Sequence, residues 1–126
     1  MYCVYILQSK NKSYIGMTND FLRRWMQHNR MLSGGAKYTT KNNQYIWNPI
    51  CIVDGFETKR EAMQCEWRLK RAKGYYNRLL YLSNILQSEK KWTSKSPFIE
   101  SQKLNIYIQD KYKYIFPMNT KQLVWF

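Results

Sequence analysis

The feature that most constrains this chain is a pair of short β-prone stretches, Cys3-Val4-Tyr5 and Tyr14-Ile15-Gly16, joined by a polar turn and followed at once by an amphipathic helix. Tyr2 to Leu7 reads as a buried strand, Ser9-Lys10-Asn11-Lys12 as a turn, and Ser13 to Met17 as the returning strand of a hairpin. Thr18 or Asn19 can cap the helix that follows. Asp20 then falls in its first turn, where the positive end of the helix dipole favours a carboxylate. Leu22, Trp25, Met26 and Asn29 share one helix face, and Phe21, Arg24, His28 and Met31 the adjoining one. A hairpin running straight into such a helix can bring two phenols, a guanidinium and an imidazole to one place.

Ser33-Gly34-Gly35 ends that helix, and a polar loop through Asn43 carries Lys37 and Lys41. Ile50 to Val53 reads as a third strand closed by Asp54-Gly55. Thr58 caps a second helix running from Lys59 to about Lys73, with Glu61 supplying the capping-box carboxylate, and Gly74 breaks it. Tyr76 to Leu86 is a third amphipathic helix. From Glu89 the composition changes. The alternating Leu104-Asn105-Ile106-Tyr107-Ile108 reads as a strand, and the tail from Asp110 is aromatic and basic without an assignable element. The fold class expected is α/β (α+β): a small central antiparallel sheet of three strands flanked by three helices.

The net charge is +13, from 21 Lys and Arg against 8 acids, so the surface attracts polyanions, of which nucleic acid is the commonest. With 126 residues, 44% hydrophobic and 17% aromatic, the chain is a folded domain with a modest core. No run approaches the ~20 apolar residues of a spanning helix, and Tyr2 to Leu7 is too short for a signal peptide. A membrane partner is therefore not expected, and the protein should act inside a cell, in nucleus or cytoplasm. Three cysteines, Cys3, Cys51 and Cys65, have no CxxC spacing and cannot make a disulfide framework or a four-ligand zinc site. The abundance of Lys, Asn, Ile and Tyr is what AT-rich coding DNA yields, as in a large DNA virus or an AT-rich microbe.

One carboxylate calls for explanation. Ala62, Glu66 and Leu69 lie on one stripe of the second helix, so Glu66 faces the core side, where an unpaired charge is costly. It can be a boundary residue reaching an arginine, or it can hold a metal. Asp20, Glu57 and Glu61 have capping or surface roles, which leaves Glu66 the best-placed metal ligand. A single carboxylate with water and phosphate oxygens completing the shell suits Mg²⁺. Arg24 and His28, four apart, point the same way. Arginine donates two parallel bonds to a phosphate, and the chain's only histidine can move protons near neutral pH. A phenol titrates near ~10, so a catalytic tyrosine needs positive charge beside it.

These residues resemble a GIY-YIG nuclease. Cys3-Val4-Tyr5 stands for the first tripeptide and Tyr14-Ile15-Gly16 for the second, followed by Arg24, His28 and Glu66. Within that superfamily the chain is most similar to the Slx-type catalytic subunit of structure-specific endonucleases. The resemblance runs through Thr18, Arg23-Arg24, Gln27-His28-Asn29, Gly34-Gly35-Ala36, Thr39, Trp47, Gly55-Phe56, Glu66-Trp67 and Trp92-Thr93 with Pro97. It covers about residues 2 to 98, which sets residues 1–98 as the nuclease domain and 99–126 as a C-terminal extension. Met17 stands where the UvrC-type branch has a lysine, and Cys3 where the first tripeptide has glycine.

The resemblance implies a GIY-YIG fold and a metal-dependent DNA endonuclease acting on flaps, forks or four-way junctions in repair or recombination. Tyr5 would be the general base, Tyr14 would assist it or bind the scissile phosphate, and Arg24 would stabilise the transition state. His28 would orient the nucleophile or share the proton work. Glu66 would hold one divalent ion, Mg²⁺ or Mn²⁺. Arg23, Asn29, Lys37 and Thr39 would contact the DNA backbone. Slx-type subunits also carry a RING-like zinc domain on which a scaffold subunit docks, and this chain lacks the cysteines for one. The segment from Glu100 is expected to cover exposed surface or to support self-association as a homodimer. Two rival readings stay open: a non-catalytic nucleic-acid-binding module, and a restriction or homing-type nuclease, which would need sequence-reading elements that are not evident here.

Overall fold

The computed structural model describes residues 1–125. In chain order it contains β1 (Tyr2–Ser9), β2 (Lys12–Thr18), α1 (Phe21–His28), α2 (Lys37–Lys41), β3 (Asn48–Phe56), α3 (Lys59–Leu69), α4 (Tyr75–Ser88), β4 (Asn105–Ile108) and β5 (Lys121–Gln122). Short 3-10 turns cover Glu100–Gln102 and Asp110–Ile115.

The sheet has five strands in the order β2-β1-β3-β4-β5. It is larger than the three strands expected, because two pieces of the C-terminal segment join it. β4 pairs antiparallel with β3, placing Ile106 opposite Val53 and Ile108 opposite Cys51, and β5 adds a short parallel edge. Ile106, Ile108, Ile115 and Phe116 lie in the same core as Val4 and Ile6, so residues on both sides of position 98 share one hydrophobic cluster.

The period of two in β1 divides the molecule. Val4 and Ile6 face the main core, against Ala62, Cys65 and Leu69 of α3 and Leu79 and Leu82 of α4. Cys3, Tyr5 and Leu7 face the other way, into a smaller cluster with Trp47 and, at its rim, Tyr14, Phe21 and Trp25. The candidate site grows on this second face. The strand β2 is the free edge of the sheet there, and its tight turn is made at Lys10, with φ 57°. Where β1 meets Pro49 the pairing register shifts, as a residue without an N–H requires.

Local chemistry explains the helix ends, with some departures from the sequence reading. Asp20 is itself the cap of α1, accepting from the Arg23 amide at 3.2 Å, while the Thr18 hydroxyl accepts from the Asp20 amide. α1 ends at His28, well before Gly34, because Arg30 turns left-handed with φ 62°. Thr58 and Glu61 form the expected capping box of α3. α3 stops at Leu69 rather than near Lys73. The amides of Arg71 and Ala72 bond back three residues, tightening the chain into a turn that Gly74, with φ 83°, hands on to α4. The loop expected from Gly35 to Asn43 contains the five-residue helix α2. All three cysteines are buried free thiols. No helix among the described residues is long and apolar enough to cross a membrane.

Candidate active site

The hairpin register builds the first half of the site. Tyr5 is paired with Gly16 and Leu7 with Tyr14, so both phenols stand on the α1 face. Their rings are 6.5 Å apart. Tyr5 can lie across β2 only because its partner has no side chain: a Cβ on Gly16 would collide with the Tyr5 hydroxyl, 2.6 Å from its Cζ, and press Tyr14 Cε2 at 3.0 Å. The glycine of the second tripeptide is thus a space requirement of the first tripeptide's tyrosine.

Helix α1 supplies the second half. His28, in its last turn, is fully buried, and its ring packs against both phenols, with centroids 4.8 Å from Tyr14 and 5.7 Å from Tyr5. Nε2 of His28 is 2.8 Å from the Tyr5 hydroxyl, and Nδ1 is 2.8 Å from Oγ1 of Thr39. The Thr39 hydroxyl donates to the Ala36 carbonyl at 3.1 Å. A carbonyl can only accept, so the threonine proton is committed there and its oxygen is left to accept Nδ1–H. That sets the tautomer: Nδ1 carries the proton and Nε2 accepts from Tyr5.

Electrostatics agree with this direction. Burial, and then the charge of Arg24, lower the His28 pKa from 6.5 to about 4, so the imidazole is neutral and basic at Nε2 around pH 7. Burial, then the neighbouring Tyr14, push the Tyr5 phenol up, while Arg24 acts against them. Tyr5 is therefore a phenol at rest. The Arg24 guanidinium is aimed by two bonds from Nη1, to the Gly34 carbonyl at 2.7 Å and to Gln27 Oε1 at 2.9 Å.

Trp47 holds the two helices in this relation. Its indole N–H donates to the Thr39 and Asn42 carbonyls, at 3.2 and 3.1 Å, satisfying the end of α2. Its backbone amide donates to Asn29 Oδ1 at 2.7 Å, and its carbonyl accepts from Trp25 Nε1 at 2.6 Å and Asn29 Nδ2 at 3.0 Å. Asn29 was expected to contact DNA; instead both ends of its amide are spent on Trp47. Thr39 was expected there too, but it is buried and turned inward to His28. Short polar side chains beside a helix end find backbone partners before solvent, and that decides both cases. Arg23 of α1 and Lys37 of α2 are both exposed, as a contact with a polyanion requires.

Glu66 sits apart from this cluster. It lies on α3, which packs on the opposite face of the sheet, and no hydrogen bond or ion pair among the described residues joins it to Tyr5, Tyr14, Arg24 or His28. Its side chain is 20% exposed and 3.7 Å from the Lys70 ammonium. Lys70 in turn lines a cleft with Tyr14 at the β2 edge; Glu66 itself is not among the residues lining that cleft. Among the described residues no three His, Cys, Asp or Glu side chains cluster as a metal cage. A single carboxylate, loosely paired with a lysine that lines a cleft, has the chemistry for an ion that keeps waters and binds substrate phosphate, as Mg²⁺ does.

Residues beyond the expected set also border the site: Lys12, Tyr38, Lys70, Lys73 and Arg78 surround Tyr14. For Lys70 and Lys73 the sequence signal is the run Arg68 to Lys73, which holds four cations and no acid.

The sequence pattern of the GIY-YIG catalytic domain matches residues 1–79. Among curated proteins, the chain is 47% identical over 68 residues to the structure-specific endonuclease subunit SLX1 of Phaeosphaeria nodorum, covering 52% of this chain and 19% of that protein. The subunit of the same name from Pyrenophora tritici-repentis is 46% identical over 68 residues, with the same coverage of each. That from Schizosaccharomyces japonicus is 46% identical over 70 residues, 52% of this chain and 25% of the relative. The chain thus spans about a fifth of the length of the first of these relatives.

Proposed function

The chain belongs to the GIY-YIG catalytic-domain family, and on that premise we propose that it is a metal-dependent endonuclease that hydrolyses DNA phosphodiester bonds at branched structures in repair or recombination. The observation that carries the chemistry is the buried chain Tyr5–His28–Thr39 beside Arg24. The names of the relatives, structure-specific endonuclease subunits, support branched DNA as the substrate class, and the charge of +13 supports a polyanion.

In this reading the proton moves inward. The attacking water gives a proton to the Tyr5 oxygen as Tyr5 passes its own to Nε2 of His28, and Thr39 keeps Nδ1–H in place throughout. The water oxygen bonds to phosphorus, the bond from phosphorus to the leaving sugar oxygen breaks, and that oxygen takes a proton from solvent. Arg24 stabilises the extra negative charge on the phosphoryl oxygens. Tyr14, partly exposed in the cleft, donates a hydrogen bond to the phosphate. Tyr5 is 1% exposed, so it serves only a water already enclosed by bound substrate. A divalent ion, Mg²⁺ or Mn²⁺, held by Glu66 would supply positive charge to a phosphate oxygen and the leaving oxygen.

The test is incubation of a labelled flap or four-way junction with wild type, Tyr5→Phe and Glu66→Gln, in Mg²⁺ or Mn²⁺. Wild type should nick; both variants should lose cleavage, with Glu66→Gln still binding the junction. Intact junction with wild type across metals and salt concentrations overturns the reading.

A further inference from the structure

A cleft of about 540 Å³ opens along the free edge of β2. Its walls come from opposite faces of the sheet. Tyr14 and Tyr38 stand on the side of the Tyr5–His28 cluster, while Lys70 and Lys73, from the turn between α3 and α4, and Arg78, in the first turn of α4, reach round from the other side, and Lys12 of β2 also lines it. Four cations and no acid line it, although the chain has 8 acids. Among the described residues, its one ion-pair link to an acid is the 3.7 Å contact of Lys70 with Glu66.

Two details show that this is more than a basic surface. Arg78 is half-buried, held by Nε to the Ala72 carbonyl at 2.9 Å and by Nη1 to Ser13 Oγ at 2.7 Å. Its partners are neutral, so a partly desolvated charge is left with no anion among the described residues, and burial lowers its pKa. A bound phosphate would relieve that cost. Tyr38 is 46% exposed, yet its ring is fixed from behind by Trp47 at 5.9 Å and lies within 18° of parallel to Tyr14, 6.4 Å away. An exposed aromatic plane held rigid beside cations is the platform on which a nucleic-acid base stacks, and any base will serve because each has a π face.

We infer that this cleft takes the single-stranded branch of the substrate: an unpaired nucleotide stacks on Tyr38, and the strand's phosphates lie along Lys12, Lys73 and Arg78. The inference rests on the nuclease reading and deepens it. Selection of branched DNA then becomes a property of the chain itself: a strand that leaves the duplex offers the unpaired base that Tyr38 stacks beside Tyr14.

The experiment uses the whole chain without metal, so that nothing is cut, and flap DNA carrying 2-aminopurine at the first unpaired position. Wild type should quench the probe on binding, and Tyr38→Phe should do the same. Tyr38→Leu should abolish quenching and weaken flap binding by about 5- to 150-fold, the range of one lost base–aromatic stack, while leaving binding of an unbranched duplex unchanged. Lys73→Glu, at an exposed position, should weaken flap binding and flatten its salt dependence. Circular dichroism checks that both variants fold. If Tyr38→Leu or Lys73→Glu weakens flap and duplex equally, or neither, the cleft is not a strand site and the inference fails. Quenching by a wild type that cuts nothing once metal is added would sustain the cleft and remove the nuclease reading. Cutting without quenching would do the reverse.

Discussion

The Tyr5 hydroxyl lies 2.8 Å from Nε2 of His28, with both side chains sealed from solvent. Buried donors and acceptors need partners, and here each has one: the phenol has the imidazole, the imidazole has Thr39, and Thr39 has a backbone carbonyl. In the proposed mechanism this same chain is a proton path whose direction is set by its last member, a carbonyl, which can only accept.

Thr39→Val leaves Nδ1–H of His28 without an acceptor, at a cost of about 1–3 kcal/mol for a buried unsatisfied donor. The tautomer is then free to invert. Cleavage should fall by ~10–100-fold, the scale typical of groups that orient a functional imidazole. Thr39→Ser, which keeps the oxygen, should recover most of it. Nitrogen NMR of the His28 ring reads the tautomer directly and separates a positioning role from loss of fold.

Gly16→Ala should lower stability by about 1–3 kcal/mol, the usual cost of overpacking, because the new methyl occupies the place of the Tyr5 hydroxyl. Cleavage should be lost in folded protein as well, since the ring must swing away from His28. Urea denaturation and a junction assay below the melting transition measure the two effects.

Acid should unfold this protein through His28. The unfolded imidazole takes up a proton near pH 6.5, the folded one only at about 4. Between those values the unfolded state binds more protons, so stability is complete above 6.5 and falls as the pH drops toward 4. His28→Phe should flatten the fall in a urea midpoint followed from pH 7 to 4. The acid limb of cleavage in wild type should likewise lie near 4 rather than 6.5.

Arg24→Lys should cut turnover by ~10²–10³-fold, as removal of a transition-state donor does, with junction binding changed little. The guanidinium is braced on Gly34 and Gln27 by one nitrogen, leaving others to face a phosphate, and an ammonium cannot divide its donors in that way. Single-turnover kinetics beside a binding titration check it.

Much of this was legible in the residues. The apolar run Tyr2 to Leu7 placed β1 as a buried strand, and the Thr58–Glu61 box and the strand at Asn105–Ile108 appear where local chemistry put them. What misled was polarity read as exposure. Thr39 in a polar loop and Asn29 at a helix end look like surface residues, but Trp47, eight and eighteen positions further on, supplies contacts that hold Thr39 buried and Asn29 half-buried. Helix α2 was missed for the same reason: five residues are too few to be stable by propensity and exist because the Trp47 indole satisfies their carbonyls. The stripe holding Glu66 was rightly set toward the core, yet the helix period carries no information on which side of the sheet that helix packs.

By itself, the order of residues determined the hairpin, the helix that follows it and the four groups they can converge, because strand alternation, helix periodicity and capping act over a few neighbours. Only the tertiary structure decided which of those groups touch, which tautomer His28 holds, and that Tyr38, Arg78 and Lys73 meet Tyr14 at the β2 edge. Those outcomes depend on register and on packing between segments far apart in the chain, and no local rule reaches that distance.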